Sequence, residues 1–342
     1  MSHLLVTGGA GFIGSSFVEL AVQRGYQVTI LDSLTYAGHR ENFEALLQPQ
    51  VCEFVQADIQ DRRRLESLWQ ENNFSGVVHF AAESHVDNSI RGPEAFLKTN
   101  VIGTFELLES VRAQWPKWDS KRKEQFRFVH VSTDEVFGSL GAVGKFSEQT
   151  RYAPNSPYSA SKAASDHLAR AWFHTFGLPT IITNCSNNYG PRQFPEKLIP
   201  RMITQALRDE KLPVYGAGAN IRDWIHVRDH CQGVLLALTK GAPGSEYCFG
   251  GNSERSNLDV VKNICALLDE LRPRPDGRSH QEGIEFVQDR AGHDFRYAID
   301  DTKAQKELGF SREYGSFEAG LRMTVEWYLE NAAWIEQVTA KN

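Results

Sequence analysis

Apolar residues along the chain fall in short unbroken runs, each followed by a polar turn and then by a stretch with helical spacing. The runs at residues 3–7, 27–31, Cys52–Gln56, 76–80, 128–131 and 179–185 have the length and continuity of strands buried on both faces. Their alternation with helical patterns predicts an α/β fold built on a doubly wound parallel Rossmann sheet. The stretch before Phe176 is the best bounded helix, with Ser156 as N-cap, Pro157 at the first helical position, and Gly177 and Pro179 ending it. Thr99 and Asn100 are expected to open another helix, and the charged stretch 115–125 reads as a solvated loop. After Cys185 the punctuation changes to S-N-N-Y-G-P-R-Q-F-P-E-K-L-I-P, which marks a domain change. Residues 1–185 are expected to form one domain and 186–342 a smaller, interleaved carboxyl-terminal lobe. Residues 222–240, a strand and an amphipathic helix, are expected to pack back on the first domain. A helix at 258–271, a linker at 273–280, a strand starting near Glu285 and an aromatic-rich helix around Trp327 complete the small lobe.

The first strand runs straight into T-G-G-A-G-F-I-G, and the next helix follows at once. Gly8 and Gly11 allow a tight turn and close approach of backbone to a pyrophosphate, Gly14 allows close helix packing, and the helix amino terminus favours an anion. Phe12 and Ile13 would lie under the dinucleotide. Asp32, ending the second strand, is placed to accept from the adenosine ribose and to repel a 2'-phosphate, which favours NAD over NADP. Asp58 and Ile59 reach either an adenine or a simple helix cap. Phe80 leads into A-A-E-S-H-V-D, where the small Ala81 and Ala82 let backbone pass close to a cofactor, and Glu83, Ser84 and His85 face the ligand crevice. His85 by itself also reads as a surface loop histidine.

Ser132, Thr133, Asp134 and Glu135 follow the fifth strand, at the carboxyl edge where ligands bind to open parallel sheets. The group also has the form of a cap with acidic residues near a helix dipole. Tyr158 and Lys162 lie one turn apart on a helix face, so the ammonium can lower the phenol pKa and orient a hydroxyl beside it. Asn187 and Asn188 can serve a carboxamide or diphosphate, or form an ordinary turn. Arg192, Lys197, Arg222 and Arg228 could supply charge for a diphosphate. The late run D-R-A-G-H-D-F-R-Y-A-I-D offers Arg290, His293, Arg296 and Tyr297 to a diphosphate and sugar, or closes as a charged turn.

Composition narrows the partners. A formal net charge of -6 in 342 residues gives no broad attraction to nucleic acid or to an anionic membrane surface. The 5 Cys are scattered without metal-ligand spacing, as suits reduced thiols, and no metal site is expected. The absence of a leader or a membrane-length apolar run leads to the expectation of a cytoplasmic protein.

With these residues in view, the sequence resembles the extended short-chain dehydrogenases, and within them the dTDP-glucose 4,6-dehydratases, over essentially its whole length. The match is carried by T-G-G-A-G-F-I-G at 7–14, A-A-E-S-H-V-D at 81–87, S-T-D-E-V-F-G at 132–138, S-P-Y-S-A-S-K at 156–162 and the run at 289–300. The adjacent acids Asp134 and Glu135 are the specific element, because related 4-epimerases and decarboxylases lack them. The resemblance implies NAD held tightly and regenerated in each turnover. Tyr158 would take the sugar's 4-hydroxyl proton as hydride leaves C4, with Thr133 steadying that oxygen. Glu135 would remove the C5 proton, Asp134 would protonate the departing 6-hydroxyl, and hydride would return to C6. The resemblance also places Ser33, Leu34, Thr35 and Thr99 at the cofactor, and Leu198, Pro213, Tyr215 and Asn257 at the nucleotide sugar. It implies a homodimer through two helices of the large domain, compatible with Ala163, Ala164, Leu168 and Trp172 on the Tyr158 helix. Phe137 stands where a tyrosine is common, and Y-C-F-G-G at 247–251 replaces the more usual Y-N-I-G-G, which leaves the nucleotide preference open among thymidine, cytidine, guanosine and uridine sugars. The competing readings are a 4-epimerase or decarboxylase, which need no acid pair, and a non-catalytic NAD-binding regulator, which has no need of Thr133, Asp134, Glu135, Tyr158 and Lys162 together.

Overall fold

The computed structural model describes residues 2–289 and 292–340. Its centre is a seven-stranded, wholly parallel sheet. The strands are β1 (His3–Thr7), β2 (Gln27–Asp32), β3 (Cys52–Gln56), β4 (Gly76–His79), β5 (Arg127–Thr133), β6 (Thr180–Cys185) and a late strand at Glu246–Phe249. That late strand is β10 in chain order, and the spatial order is β10-β6-β5-β4-β1-β2-β3. The chain steps outward from β1 through β2 to β3, then crosses to β4 and runs the other way. The reversal between β1 and β4 opens a crevice at the carboxyl ends of the strands.

Both faces of the sheet are covered, which is why its strands are continuous apolar runs. On one face lie α1 (Phe12–Gln23) and a helix at Val227–Lys240, where Phe17, Val18 and Ala21 pack with Cys231, Val234 and Leu238. On the other lie α2 (Arg62–Glu71), α3 (Thr104–Gln114) and α4 (Pro157–Phe176), which bury Leu65, Leu107 and Val111 against Leu5, Val77 and Phe128. The Val227–Lys240 helix, α6 below, thus lies against the large sheet. β10 closes that sheet beside β6 from well beyond residue 185.

The second lobe holds a three-stranded sheet of β7 (Asn187–Tyr189), β9 (Ile221–His226) and β11 (Glu254–Ser256), and a pair of β8 (Leu212–Tyr215) with β12 (Ile284–Val287). Around them α5 (Leu198–Leu207), α7 (Asn257–Leu271) and α8 (Phe317–Glu330) bury Ile203, Val260, Ile264, Leu321 and Tyr328.

Two local expectations are corrected. The stretch 115–125 is not a solvated loop, for it folds into short turns at Trp115–Lys117 and Ser120–Gln125 and buries Trp118 against Trp69 and Phe126. Thr99 and Asn100 do not open a helix, because helical backbone already runs from Pro93 and they sit in a wide π-helical turn at Leu97–Gly103. That turn buries the Asn100 amide, which accepts from Glu83 N at 2.8 Å and donates to Glu83 O at 3.0 Å and to Ser161 Oγ at 2.9 Å. It ties the loop after β4 to α4.

Candidate active site

A cavity of about 310 Å³ opens along the carboxyl ends of β1, β2, β4, β5 and β6. Its floor is the turn between β1 and α1. Gly8 has φ +71°, and a Cβ there would stand 2.5 Å from Ala81 N. A Cβ on Gly14 would stand 2.1 Å from Gly8 O, so the helix can start this close to the turn only without a side chain. Gly11 faces the cavity: a Cβ there would meet Gly8 O at 3.3 Å and no other atom within 4 Å.

Asp32 receives Ala10 N at 3.0 Å on one carboxyl oxygen and Leu34 N at 2.8 Å on the other. Each oxygen keeps a lone pair for a further donor such as a ribose hydroxyl. Leu34 itself is outside the lining, contributing its backbone N–H from a left-handed conformation with φ 54°. Ser33, Thr35, Asp58, Ile59, Phe80, Ala81, Ala82, Glu83, Ser84, Thr99 and Asn188 all line the cavity, as do Phe12 and Ile13. An elongated dinucleotide fits this layout, with its diphosphate over the glycine turn, a ribose at Asp32 and its reactive end toward β5 and β6.

At that end the five residues Thr133, Asp134, Glu135, Tyr158 and Lys162 share one wall. The capping box of Ser156 and Ser159 starts α4 so that Tyr158 and Lys162 emerge side by side. Thr133 ends β5, its hydroxyl accepting Glu135 N at 3.3 Å and donating to Asp134 Oδ1 at 3.3 Å. Asp134 is 2% exposed, and its Oδ2 has no hydrogen-bond partner among the described residues. Burial, then the charges of Glu135 and Asp223, push its carboxyl well above the usual range, which favours its protonated form. Glu135 is less buried, and the two neighbouring carboxyls are therefore inequivalent.

The Tyr158 phenol corrects one expectation. Without the cofactor's charge its pKa is raised, not lowered, by burial and then by Glu135 and Cys185, with the Thr133 hydroxyl opposing. The Lys162 ammonium donates to Val131 O at 2.9 Å.

The basic residues divide. Lys197 lines the cavity and donates to Ser84 O at 2.9 Å. Arg192 and Arg228 turn to Glu19 on α1 and do not line it. Arg222 is buried outside the lining, donating to Asp294 O at 3.0 Å, with its guanidinium 4.2 Å from the Tyr297 ring centroid. Asn187 lines the cavity with an unpartnered buried Oδ1. His85, Leu198, Pro213, Tyr215, Asn257, His293 and Tyr297 stand outside the lining: His85 is 3.7 Å from Glu196, His293 is 2.6 Å from Asp289, and Tyr297 donates to Asp294 at 2.5 Å. Arg290 lies outside the described residues. The cavity also gathers residues the sequence reading passed over, among them Cys185, Gln193, Phe194 and Glu196. Glu196 carried a signal, since it adjoins Lys197 just beyond the last strand end.

Such a crevice on such a sheet defines a Rossmann-fold enzyme in which a dinucleotide and a second ligand meet at a Tyr-Lys pair. A family model described as GDP-mannose 4,6 dehydratase matches residues 5–324. A dTDP-glucose 4,6-dehydratase of Xanthomonas campestris pv. campestris is 56% identical over 99% of this chain and 96% of its own length. Two solved structures of dTDP-glucose 4,6-dehydratases are each 44% identical. The one from Bacillus anthracis, in complex with NAD, superposes with a TM-score of 0.86, covering 99% of this chain and 100% of that one. The one from Streptomyces venezuelae, DesIV, gives 0.88 with 98% and 99% covered. The chain belongs to the dTDP-glucose 4,6-dehydratase family.

Proposed function

We propose that the protein converts dTDP-glucose to dTDP-4-keto-6-deoxyglucose and water, acting as an NAD-dependent hydro-lyase. The observation that carries this reading is the buried carboxyl of Asp134 beside Glu135, held on one oxygen by Thr133 and with its Oδ2 unpartnered among the described residues, in the same cavity as the glycine cradle. An epimerase or decarboxylase would have no use for it. NAD, when bound, supplies the hydride acceptor for C4 and donor for C6, together with the positive charge that Tyr158 needs to lose its proton.

The residue roles are those the family resemblance implies, and the shared cavity of the five residues supports them. Tyr158 takes the proton from the sugar's 4-hydroxyl while the Thr133 hydroxyl holds that oxygen, and the C4–H bond is broken as the ketone forms. The ketone acidifies C5, where Glu135 removes the proton. Asp134, whose burial favours the protonated form, gives its proton to the 6-hydroxyl, the C6–O bond breaks, and water leaves. C6 would take up the hydride that NAD holds, Glu135, its proton exchanged with solvent, returns one to C5, and solvent carries the proton gained by Tyr158 back to Asp134. Lys162 holds a ribose hydroxyl, and Asp32 favours NAD because a 2'-phosphate would meet its carboxylate. On this reading Ser84, Asn187 and Lys197 contact the sugar diphosphate, with His85, Leu198, Pro213, Tyr215, Arg222, Asn257, Arg290, His293 and Tyr297 forming the outer nucleotide-sugar site. Residues 1–185, with α6 and β10, act as the NAD-binding unit and the rest as the substrate lobe; of the stretch 222–240 only the helix packs back, since its strand pairs with β7 and β11.

The working form is a cytoplasmic homodimer joined through α3 and α4. Leu97 and Ile102 just before α3, 54% and 48% exposed, and Phe176 at the end of α4, 42% exposed, support that face. Ala163 does not, being buried within the chain against Val136 and Phe137. Turnover of dTDP-glucose in deuterated water tests the reaction. The product should have lost one water and gained one deuterium at C5, whereas an unchanged sugar mass would point to epimerisation and end this reading.

A further inference from the structure

Among the buried carboxylates that these roles leave unused, Asp166 has no exposed surface at all. Asp166 lies on α4 one turn after Lys162, and both side chains leave the same face of the helix toward β5. Its carboxylate accepts from His130 Nε2 at 3.0 Å, Ser132 Oγ at 2.8 Å and Tyr152 Oη at 3.0 Å, with no exposed side-chain surface. Three donors on two oxygens suit an ionised carboxyl, which has acceptor capacity to spare and no proton to place. Burial alone would push that carboxyl up, but the hydrogen bond and charge of His130, then Lys162 and Ser132, more than reverse this and hold it below the usual range. A buried anion is therefore fixed beside a buried cation.

The strand geometry joins them a second time. His130 and Ser132 point to the α4 side of β5, where Asp166 grips both, and the carbonyl between them, on Val131, is the one that receives the Lys162 ammonium. Ser165 adds a contact from its hydroxyl to His130 Nε2 at 3.2 Å and donates to Lys162 O at 2.8 Å. Burial draws Lys162 down from its ordinary value, and Asp166 is the largest of the groups opposing that. The neighbouring ionisable groups do not do the same work. His79 and His130, with ring centroids 5.3 Å apart on β4 and β5, are both lowered, by burial first and with Lys162 adding to it, while Asp166 opposes this for His130. Tyr152, on the loop before α4, has its phenol raised by burial and then by Asp166, under a guanidinium from Arg170 that is itself bound to Glu246. Cys185 on β6 is likewise held as a thiol by burial.

We propose that Asp166 is a positioning residue for the reaction: its buried carboxylate keeps the Lys162 ammonium charged and directed into the cavity, and it reaches Tyr158 and the cofactor only through Lys162. The inference rests on the role given to Lys162 above. Removing the charge lets Lys162 lose its proton at lower pH, so activity should fail earlier on the alkaline side.

The test is the pH profile of kcat for dTDP-glucose, with the rate of bound NADH formation read in parallel. In Asp166→Asn the alkaline limb should move down by about one pH unit, while KM stays within about twofold. Asp166→Glu should bring the limb back toward its original place. A limb that stays put while kcat falls equally at every pH would reduce Asp166 to a structural residue and overturn the proposal. Should Asp166→Asn not fold, Tyr152→Phe removes one donor and leaves the charge less neutralised, so its limb should rise by about a few tenths of a pH unit. A limb at or below that of the unaltered protein would overturn the proposal. The unaltered protein in the same buffers separates the two levels: no product from it ends the assigned reaction, while normal turnover with unmoved variant limbs ends only the role of Asp166.

Discussion

Asp134 and Glu135 are adjacent in the chain and yet chemically unlike, because the turn after β5 drives one into the core and leaves the other at the cavity wall. Replacing Glu135 by Gln removes the proposed base for C5 but keeps its size. Keto-deoxy product should fall by about 10²–10⁴-fold, while NADH still accumulates on the protein, as absorbance and product analysis would show. Asp32→Ala should weaken NAD binding about tenfold to a hundredfold, since charge-assisted hydrogen bonds to a ribose are lost. Titration of the stripped protein with NAD checks this. The placement of Thr133, Asp134, Glu135, Tyr158 and Lys162 at a strand end and on one helical turn was legible in the sequence, because these are local properties, and the structure brings all five to one cavity; the roles proposed for them came from the family resemblance. The arginines were not. Arg192 and Arg228 looked like diphosphate ligands until α1 brought Glu19 beside them, and an ion pair between residues so far apart in sequence leaves no mark in the spacing.

Elements were legible where local signals agreed with one another. α4 has a capping box, Pro at its first position and a left-handed Gly177 at its end with φ 66°, so its bounds follow from residues nearby. Ser156→Ala should cost about 1 kcal/mol of stability, measurable as a shift in the urea midpoint, and should lower activity by loosening Tyr158. The stretch 115–125 misled because its charges outnumber its tryptophans. In the structure Arg122 lies 4.0 Å over the Trp118 ring, so the basic residue covers the indole instead of signalling water around it. The π-helical turn at Leu97–Gly103 had no sequence signature either, since its widening serves the buried Asn100 contacts to Glu83 and Ser161.

At the scale of the molecule, buried neutral histidines make stability depend on pH. Burial pushes His230 on α6 down to about 3 from 6.5, and its Nδ1 meets Asn188 Oδ1 at 3.0 Å. The unfolded chain takes up that proton as pH falls below 6.5 and the folded chain does not, so the stability from this residue is complete above 6.5 and drains away toward its folded value. His230→Asn should therefore be less stable than the unaltered protein near neutrality, with the gap narrowing by about 2 kcal/mol between about pH 7.5 and about pH 5. Urea unfolding at the two pH values measures it, and a constant gap would count against a neutral buried imidazole. The parallel sheet was legible from the alternation of apolar runs and helical stretches. The outer place of β10 was not, because which lobe a four-residue strand joins is set by partners far along the chain.

That late strand has a consequence for how the protein is made. A ribosome delivers β1 to β6 and the whole Tyr158 helix well before residues 246–249 emerge, so during synthesis β6 presents a bare row of backbone donors and acceptors with nothing beside it. The catalytic strand β5 is shielded in the meantime only by β6. A chain cut short before β10 keeps Thr133, Asp134, Glu135, Tyr158 and Lys162 and still carries an open, sticky edge one strand away from them, so the sheet that holds the proposed centre is closed by four residues that take no part in the reaction.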